Sequence, residues 1–355
     1  MTRQAFWTVT FLLTFFHTEY SSAQAKSKDV KSAEKVTKLF RSEAILSVKM
    51  TYSNKKVKKE TNDTTYLETF LAYATENGSW DSLNVRFMAR GNYRRTNCYF
   101  APLKFRIKKK TSKGTLFTKN KELKLVLPCL LQKDGNDNII KEYMAYKIYE
   151  TLSPYHFKTR LLDIELSEKT RKKIKKRQLK AFFIEDIKRV AARAGGNVLK
   201  RNVHPLGQDD YHSLYQALFQ FMIGNTDFST GFMHNSKLLF NDIGTIPVPY
   251  DFDMSGLVNT SYSTVSEIQG EALPIKETTE RIYRGFKRDE KLLYKVRNEF
   301  LQKKSLVLTE VKKLEPLFEH KRNFEEAIHY IEGFYGILAS EASFKYRIVN
   351  RSRKK

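Results

Sequence analysis

Cysteine is scarce in this chain of 355 residues, which contains only Cys98 and Cys129. Two cysteines at this spacing fit no zinc-binding motif. Both flank predicted strands of the same β-rich half, so we expect them to lie close enough to pair, with two buried free thiols as the alternative. RNA-recognition, zinc-finger and helix-turn-helix motifs are missing too, so no specific nucleic-acid signature is present.

Long apolar runs are missing after the first 16 residues, so no membrane-spanning helix is predicted beyond them. The start has the pattern of a secretory signal peptide, in which Arg3 precedes an apolar run over residues 5–16 and small residues at 21–25 form the cleavage region. The run is shorter than the roughly 20 residues of a membrane anchor. We therefore predict a signal peptide at 1–25, cleavage at 24–26, and a periplasmic or secreted mature protein.

Acidic residues are outnumbered in the sequence, since 39 Asp and Glu face 64 Lys and Arg and leave a net charge of +25. A charge of this size attracts polyanions such as nucleic acid, acidic glycans, phosphorylated ligands or an anionic membrane surface. Solvated loops are the alternative interpretation of the basic runs that carry it. These runs are 55–59, 108–110, 171–177 and 351–355.

Apolar spacing divides the remaining chain into three regions. A polar linker is predicted over 26–44. Alternating apolar residues, typical of strands, recur through 45–188 and accompany one helix, whereas 189–355 has helical spacing, above all from Arg281 onward. The chain is therefore predicted to have a β-rich first half and a helical second half.

A lysine in a predicted strand and a glutamate in the following helix are candidates for nucleotide binding. Lys124 lies in the strand, and Glu142 lies in the helix predicted over 139–152. An ion pair between them would direct an ammonium group at nucleotide phosphates. An exposed lysine and a solvated glutamate are the alternative, and Lys104 is a rival for the phosphate contact.

The segment 215–258 gathers more function-capable residues than any other. Its apolar spacing predicts a helix that ends at Gly224, since glycine is favoured just after a helix C-terminus. A polar loop follows, and then a β-hairpin over 237–250 with its turn at 241–244. Polar side chains before and after this hairpin are therefore predicted to lie near the same end of it.

Those polar residues match the needs of phosphoryl transfer. One carboxylate orients or deprotonates the acceptor, while an asparagine and a second carboxylate hold Mg²⁺ on the nucleotide phosphates. We predict that Asp227 is the catalytic group and that Asn235 and Asp251 bind the metal. For each residue alone, a role in a turn, a loop or a strand end is the alternative.

The same residues resemble the spore-coat CotH family of atypical secreted kinases and a set of exported bacterial proteins of unassigned function. The resemblance covers roughly residues 85–260. The residues that carry it are Arg90-Gly91, Pro102-Leu103-Lys104, Leu123-Lys124-Leu125-Val126, Glu142-Tyr143, Phe183-Ile184-Glu185-Asp186, Ile223-Gly224-Asn225-Thr226-Asp227, His234-Asn235 and Pro249-Tyr250-Asp251-Phe252-Asp253.

This resemblance implies a protein-kinase-like, two-lobed α+β fold with a β-rich N-terminal lobe and a helical C-terminal lobe. It also implies a phosphotransferase that uses ATP and Mg²⁺ or Mn²⁺ to modify a protein or another hydroxyl acceptor, with Lys124 and Glu142 on the phosphates. The sequence lacks a Gly-rich phosphate loop and His-Arg-Asp. Asp253 stands where kinases have the glycine of Asp-Phe-Gly, so either Asp251 or Asp253 is the metal ligand.

Two further features depart from ordinary kinases. The interval from Asp227 to Asn235 is eight residues, where the kinase catalytic loop places its asparagine five after the aspartate. ATP is also scarce outside the cytoplasm. The competing function is therefore a non-catalytic, secreted, kinase-like protein whose basic surface binds acidic glycan or envelope polyanions.

Overall fold

The computed structural model describes residues 36–91, 93–268 and 271–354. The predicted signal peptide at 1–25 and most of the predicted linker at 26–44 lie outside these residues. The described end of the linker region contains a short helix, α1 (Lys38–Arg41), that buries Leu39 and Phe40. This end of the linker is therefore part of the folded unit.

Seven strands close into a barrel in the order β1-β2-β3-β4-β5-β7-β6. They are β1 (Leu46–Tyr52), β2 (Leu67–Ala74), β3 (Trp80–Ala89), β4 (Leu103–Arg106), β5 (Glu122–Val126), β6 (Thr159–Lys169) and β7 (Ile174–Ile184). Neighbours are antiparallel except β1 and β6, whose parallel pairing closes the barrel. The rings of Phe87, Phe105 and Phe183 pack together at centroid distances of 5.8 Å and help to fill its core.

The predicted protein-kinase-like, two-lobed α+β fold is wrong. The strands expected to form a β-rich N-terminal lobe close on themselves, and Thr37–Lys355 is one compact unit. The parallel pair that closes the barrel joins Val48 to Ile164, far apart in the chain. Alternating apolar residues predict which face of a strand is buried but not which strand lies beside it, so local patterns could not reveal this closure.

Helices supply much of the remaining structure, and the two longest are α5 in the first half of the chain and α10 in the second. They are α2 (Asn54–Glu60), α3 (Tyr93–Asn97), α4 (Lys109–Ser112), α5 (Gly135–Leu152), α6 (Ile187–Arg193), α7 (Asp210–Met222), α8 (Glu290–Gln302), α9 (Lys304–Lys312), α10 (Lys321–Ala339) and α11 (Glu341–Phe344). Helix α5 is buried along most of its length. In the described part of the chain, no helix has both the length and the apolarity to cross a membrane.

A second sheet in the helical half confirms the predicted hairpin. Its strands are β8 (Asn197–Leu199), β9 (Ser236–Asn241) and β10 (Gly244–Pro249), in the order β10-β9-β8. Asn241 pairs with Gly244 at the turn, as predicted. Helix α7 ends at Met222, and Gly224 has φ +61°, a left-handed conformation that glycine adopts easily. A short pair, β11 (Glu267–Ile268) and β12 (Glu271–Ala272), completes the strands.

Candidate functional site

An aromatic residue between two carboxylates fixes the chain just after β10. Phe252 is fully buried, with its ring 4.6 Å from that of Tyr146 and 5.4 Å from that of Phe219. The backbone N–H of Asp251 donates a 2.9 Å hydrogen bond to the hydroxyl of Tyr146. The positions of Asp251 and Asp253 therefore follow from the packing of the hydrophobic core.

Three carboxylates meet at this point, and we call Glu142, Asp251 and Asp253 the carboxylate cluster. One oxygen from each lies within 4.8 Å of the others. Glu142 Oε1 and Asp251 Oδ1 are buried and accept no hydrogen bond from the described residues. Buried polar atoms normally have a partner. Clustered carboxylate oxygens are also the ligands that Mg²⁺ and Mn²⁺ prefer, so this donor set suits such a cation.

Two arginines partly offset the charge of the carboxylate cluster. Arg94 lies 3.8 Å from Glu142 and 3.6 Å from Asp253, and Arg90 lies 3.9 Å from Asp251. Burial nevertheless raises the pKa of Glu142 well above its usual range, and the charge of Asp253 adds to the effect. Burial also raises the pKa of Asp253, although Arg94 opposes the rise. Burial therefore favours the neutral acids of Glu142 and Asp253, whereas a divalent cation would favour their charged forms.

The described residues contain one other acidic group of similar size, formed by Asp134, Asp137 and His320. The side chain of Asp137 is fully buried, but both of its oxygens accept hydrogen bonds from protein donors. These donors are the backbone N–H groups of Glu319 and His320 and the side-chain amide of Asn323. Asp137 thus anchors the start of α10, and its hydrogen bonds explain its burial without a metal.

A second network surrounds Asp227 in the loop between α7 and β9. The amide nitrogen of Asn235 donates to the carboxylate of Asp227 at 2.9 Å and to its backbone carbonyl at 2.7 Å. His234 Nε2 donates to the other carboxylate oxygen at 2.8 Å, and this bond raises the pKa of His234. Because the amide of Asn235 donates to Asp227, its side-chain oxygen is the group suited to a cation.

The backbone is strained at two of the predicted metal ligands. Asn235 has φ +47° and Asp251 has φ +68°, in the left-handed region that few residues other than glycine adopt. The N–H of Tyr250 donates to the carbonyl of Asn235 at 3.1 Å, which holds the two strained residues near each other. Strain of this kind persists where surrounding contacts enforce it, often at functional sites.

Basic side chains lie near Tyr250 and Asp251. Lys124 Nζ lies 4.1 Å from the ring centroid of Tyr250, and Lys237 Nζ lies 5.4 Å from the same centroid. Burial, followed by the charge of Arg90, lowers the pKa of Lys124 well below its usual range. Lys124 and Arg90 both lie close enough to Asp251 for the charges to act on one another, and a metal-bound polyphosphate needs such a mixture of basic and acidic groups.

No family model and no curated protein matches this chain. The CotH-like resemblance therefore stays a prediction. The function has to be argued from the site itself, since a fold alone does not determine chemistry.

The structure brings most of the predicted site residues together. The predicted ion pair between Lys124 and Glu142 and the rival role of Lys104 need separate comment. Among the described residues, Lys124 and Glu142 form no ion pair, because Glu142 contacts Arg94 instead. Lys104 lies opposite Lys124 in the β4–β5 register but contacts Glu122 at 3.0 Å. Of the two lysines, Lys124 is therefore the one beside Asp251. Both Asp251 and Asp253 belong to the carboxylate cluster, so both stay candidate metal ligands.

Sequence reasoning missed the arginines of the site. Arg90 is one of the residues that carry the CotH-like resemblance, but the sequence assigned no site role to Arg90 or Arg94, which lie in a short basic stretch. In the structure, Arg94 donates to the carbonyl of Leu127 at 2.6 Å, and the nearby disulfide joins Cys98 to Cys129. The prediction that the cysteines lie close enough to pair is confirmed by a Cα separation of 4.6 Å. Arg94 lies four positions before Cys98 in the sequence, and this closeness to a predicted cysteine pair was the signal that its position is fixed.

Proposed function

We propose that this protein is an exported phosphotransferase that moves the terminal phosphate of ATP to a hydroxyl group with Mg²⁺ or Mn²⁺. The observation that supports the proposal most strongly is the pair of buried, unpartnered oxygens on Glu142 and Asp251. They lie in one carboxylate cluster beside the basic groups of Arg90 and Lys124. A cation would satisfy the oxygens, and phosphates would satisfy the basic groups.

Each group has a role that follows from its contacts. Asp251 and Asn235 would hold the metal, with Asp253 and Glu142 as further carboxylates of the same cluster. The metal would supply charge neutralisation on the phosphates. Lys124 would contact a phosphate oxygen.

Asp227 is the group suited to the acceptor hydroxyl. His234 and Asn235 hold its carboxylate by hydrogen bonds at 2.8 and 2.9 Å, and each carboxylate oxygen retains further acceptor capacity. In the transfer step, the acceptor oxygen bonds to the terminal phosphorus while the bond to the bridging oxygen breaks and ADP leaves. The hydroxyl proton passes to Asp227.

Thermal unfolding with ATP, in the presence and absence of Mg²⁺ or Mn²⁺, tests the binding half of the proposal. We expect metal-dependent stabilisation of the wild type. Asp227→Asn should keep this stabilisation, because an amide oxygen can still accept from Asn235, but it should lose transfer of labelled terminal phosphate, because an amide cannot take the hydroxyl proton. If the wild type shows no metal-dependent stabilisation by ATP, the proposal fails.

A binding role for polyanions is the second candidate, and one cavity favours it. A cavity of about 470 Å³ has six basic residues among the twelve that line it, and they include Lys109, Lys188 and Arg189. Together with the net charge of +25, this lining suits an acidic glycan. Salt-sensitive binding of heparin without any effect of ATP and metal would favour this candidate over the phosphotransferase.

A further inference from the structure

A large cavity lies directly beside the loop that carries Asp227. Its volume is about 440 Å³, and residues 228–232 of that loop form one wall. Helix α7, residues 284–286 and Arg288 form other walls, and Arg353 borders the cavity from the C-terminal end of the chain. A cavity of this size accommodates a small organic molecule.

The C-terminal segment is built into this cavity by backbone pairing. The N–H of Arg353 donates to the carbonyl of Gly285 at 2.9 Å, and the N–H of Lys287 donates to the carbonyl of Arg353 at 2.7 Å. The guanidinium of Arg353 lies 4.4 Å from the ring centroid of Phe286. Arg353 is therefore held at the cavity as part of the fold.

Two arginines at the cavity lack an acidic partner. Among the described residues, no carboxylate oxygen lies within salt-bridge distance of Arg284 or Arg353, whereas Arg288 pairs with Asp210. Burial and the charge of Arg353 lower the pKa of Arg284 to about 10. The structure thus brings two like charges near each other, and although the charge of Asp227 opposes the fall in the pKa of Arg284, a bound anion would stabilise both arginines.

Further donors at the cavity are buried without a partner. Ser213 Oγ, Gln216 Nε2 and Arg284 Nε have no hydrogen-bond partner among the described residues, and all three residues line the cavity. The rings of Phe228 and Phe286 give it an apolar surface. This combination of two cations, neutral hydrogen-bonding groups and rings matches a small anionic compound that also carries hydroxyl groups.

Arg284 connects the cavity to the catalytic loop, since it donates a hydrogen bond to the carbonyl of Thr226, the residue before Asp227. We propose that the cavity is the acceptor site and binds a small anionic hydroxy compound of about monosaccharide size. Its carboxylate or phosphate contacts Arg284 and Arg353, and a hydroxyl group reaches Asp227. The assignment as acceptor rests on the proposed phosphotransferase function, whereas the binding of an anion does not.

Isothermal titration calorimetry on the full chain, without metal and at about 0.15 M salt, tests the site. The ligands are D-glucuronate, D-glucose 6-phosphate and neutral D-glucose. We expect one or both anions to bind and glucose to show no binding. Arg284→Gln and Arg353→Gln should each weaken anion binding by about tenfold or more, because each removes a charged hydrogen-bond donor.

Arg351→Gln is the matched control, since it removes the same charge from an exposed side chain two residues from Arg353. It should leave anion binding within about twofold of the wild type, because an exposed charge contributes little. The proposal is overturned if neither anion binds, or if the control weakens binding as much as Arg353→Gln does. The second outcome would show that general surface charge is responsible.

Two further measurements separate this proposal from the phosphotransferase proposal. Asp251→Asn should retain anion binding, and Arg353→Gln should retain stabilisation by ATP and metal. Anion binding without any effect of ATP would support the anion site and refute the phosphotransferase. Stabilisation by ATP without anion binding would refute the cavity assignment alone. Tm measurements on all variants confirm that each is folded.

Discussion

Asparagine in place of Asp251 tests the metal centre directly, because the exchange removes one charge and keeps the side-chain shape. Asp251 has φ +68°, and asparagine adopts this left-handed conformation more readily than most residues. The backbone hydrogen bond to Tyr146 is also kept. Asp251→Asn should therefore change the charge of the site without strain.

The unliganded protein should tolerate this change because two electrostatic effects nearly cancel. Attraction to Arg90 at 3.9 Å is worth about 4 kcal/mol at an effective dielectric constant of about 20. Repulsion from one ionised neighbour within 4.8 Å in the carboxylate cluster costs about 3.5 kcal/mol on the same basis. Removing the Asp251 charge removes both, so we expect the free energy of unfolding to change by less than about 1 kcal/mol.

Asp251→Asn should, in contrast, remove most of the stabilisation that ATP and Mg²⁺ give to the wild type. At a ligand concentration of about 100 times Kd, binding adds about 2.7 kcal/mol to the free energy of unfolding. A folded unit of about 320 residues has an unfolding entropy of about 0.7 kcal/mol/K. We therefore expect ATP with Mg²⁺ to raise the Tm of the wild type by about 4 °C and that of Asp251→Asn by less than about 1 °C.

Differential scanning fluorimetry measures both effects, and the same hairpin supplies the control. Asp242 is exposed at the turn of the hairpin, away from the carboxylate cluster. Asp242→Asn should retain the full rise in Tm. A rise in Asp251→Asn as large as in the wild type would refute the metal assignment, and so would an equal loss in the control.

Three further predictions concern the groups around this centre. Burial raises the pKa of Glu142, so Mn²⁺ affinity measured by calorimetry should increase as pH rises above about 4.5, and a flat profile would contradict this. An NMR titration should place the pKa of His234 above about 6.5, and Asp227→Asn should lower it by removing the hydrogen bond; an unchanged value would contradict the contact. Replacing Cys98 and Cys129 by serine removes a disulfide between residues 31 positions apart. This should lower the free energy of unfolding by about 3–4 kcal/mol and the Tm in calorimetry by about 5 °C. An unchanged Tm would count against the bond.

Local elements were largely predictable because their signals are local. Burial alternates along β1 without exception, and α5 ends at Leu152, where its apolar spacing ends. Gly224 marks the end of α7 because its left-handed backbone favours glycine. The closed barrel was not predictable, because its closing pair depends on contacts between residues distant in sequence.

The candidate site was predictable only where the chain itself brings groups together. The hairpin places Asn235 near Asp251, and the turn residues at 241–244 predict this hairpin. The partner of Glu142 was not predictable, because Arg94 reaches it from a separate helix tied down by a disulfide. Such contacts depend on tertiary packing, which no spacing rule describes.

The pKa of buried Glu142 is raised and that of buried Lys124 is lowered, and these opposite shifts suggest why metal and nucleotide should bind together. Burial favours the neutral acid of Glu142 and the neutral amine of Lys124, since an isolated buried charge is costly. A metal alone must overcome the tendency of Glu142 toward its neutral form, and a phosphate alone must overcome the same tendency of Lys124. When both arrive, each group gains an opposite charge as a neighbour, which favours its charged form. The site should therefore favour the metal–nucleotide complex over either component alone.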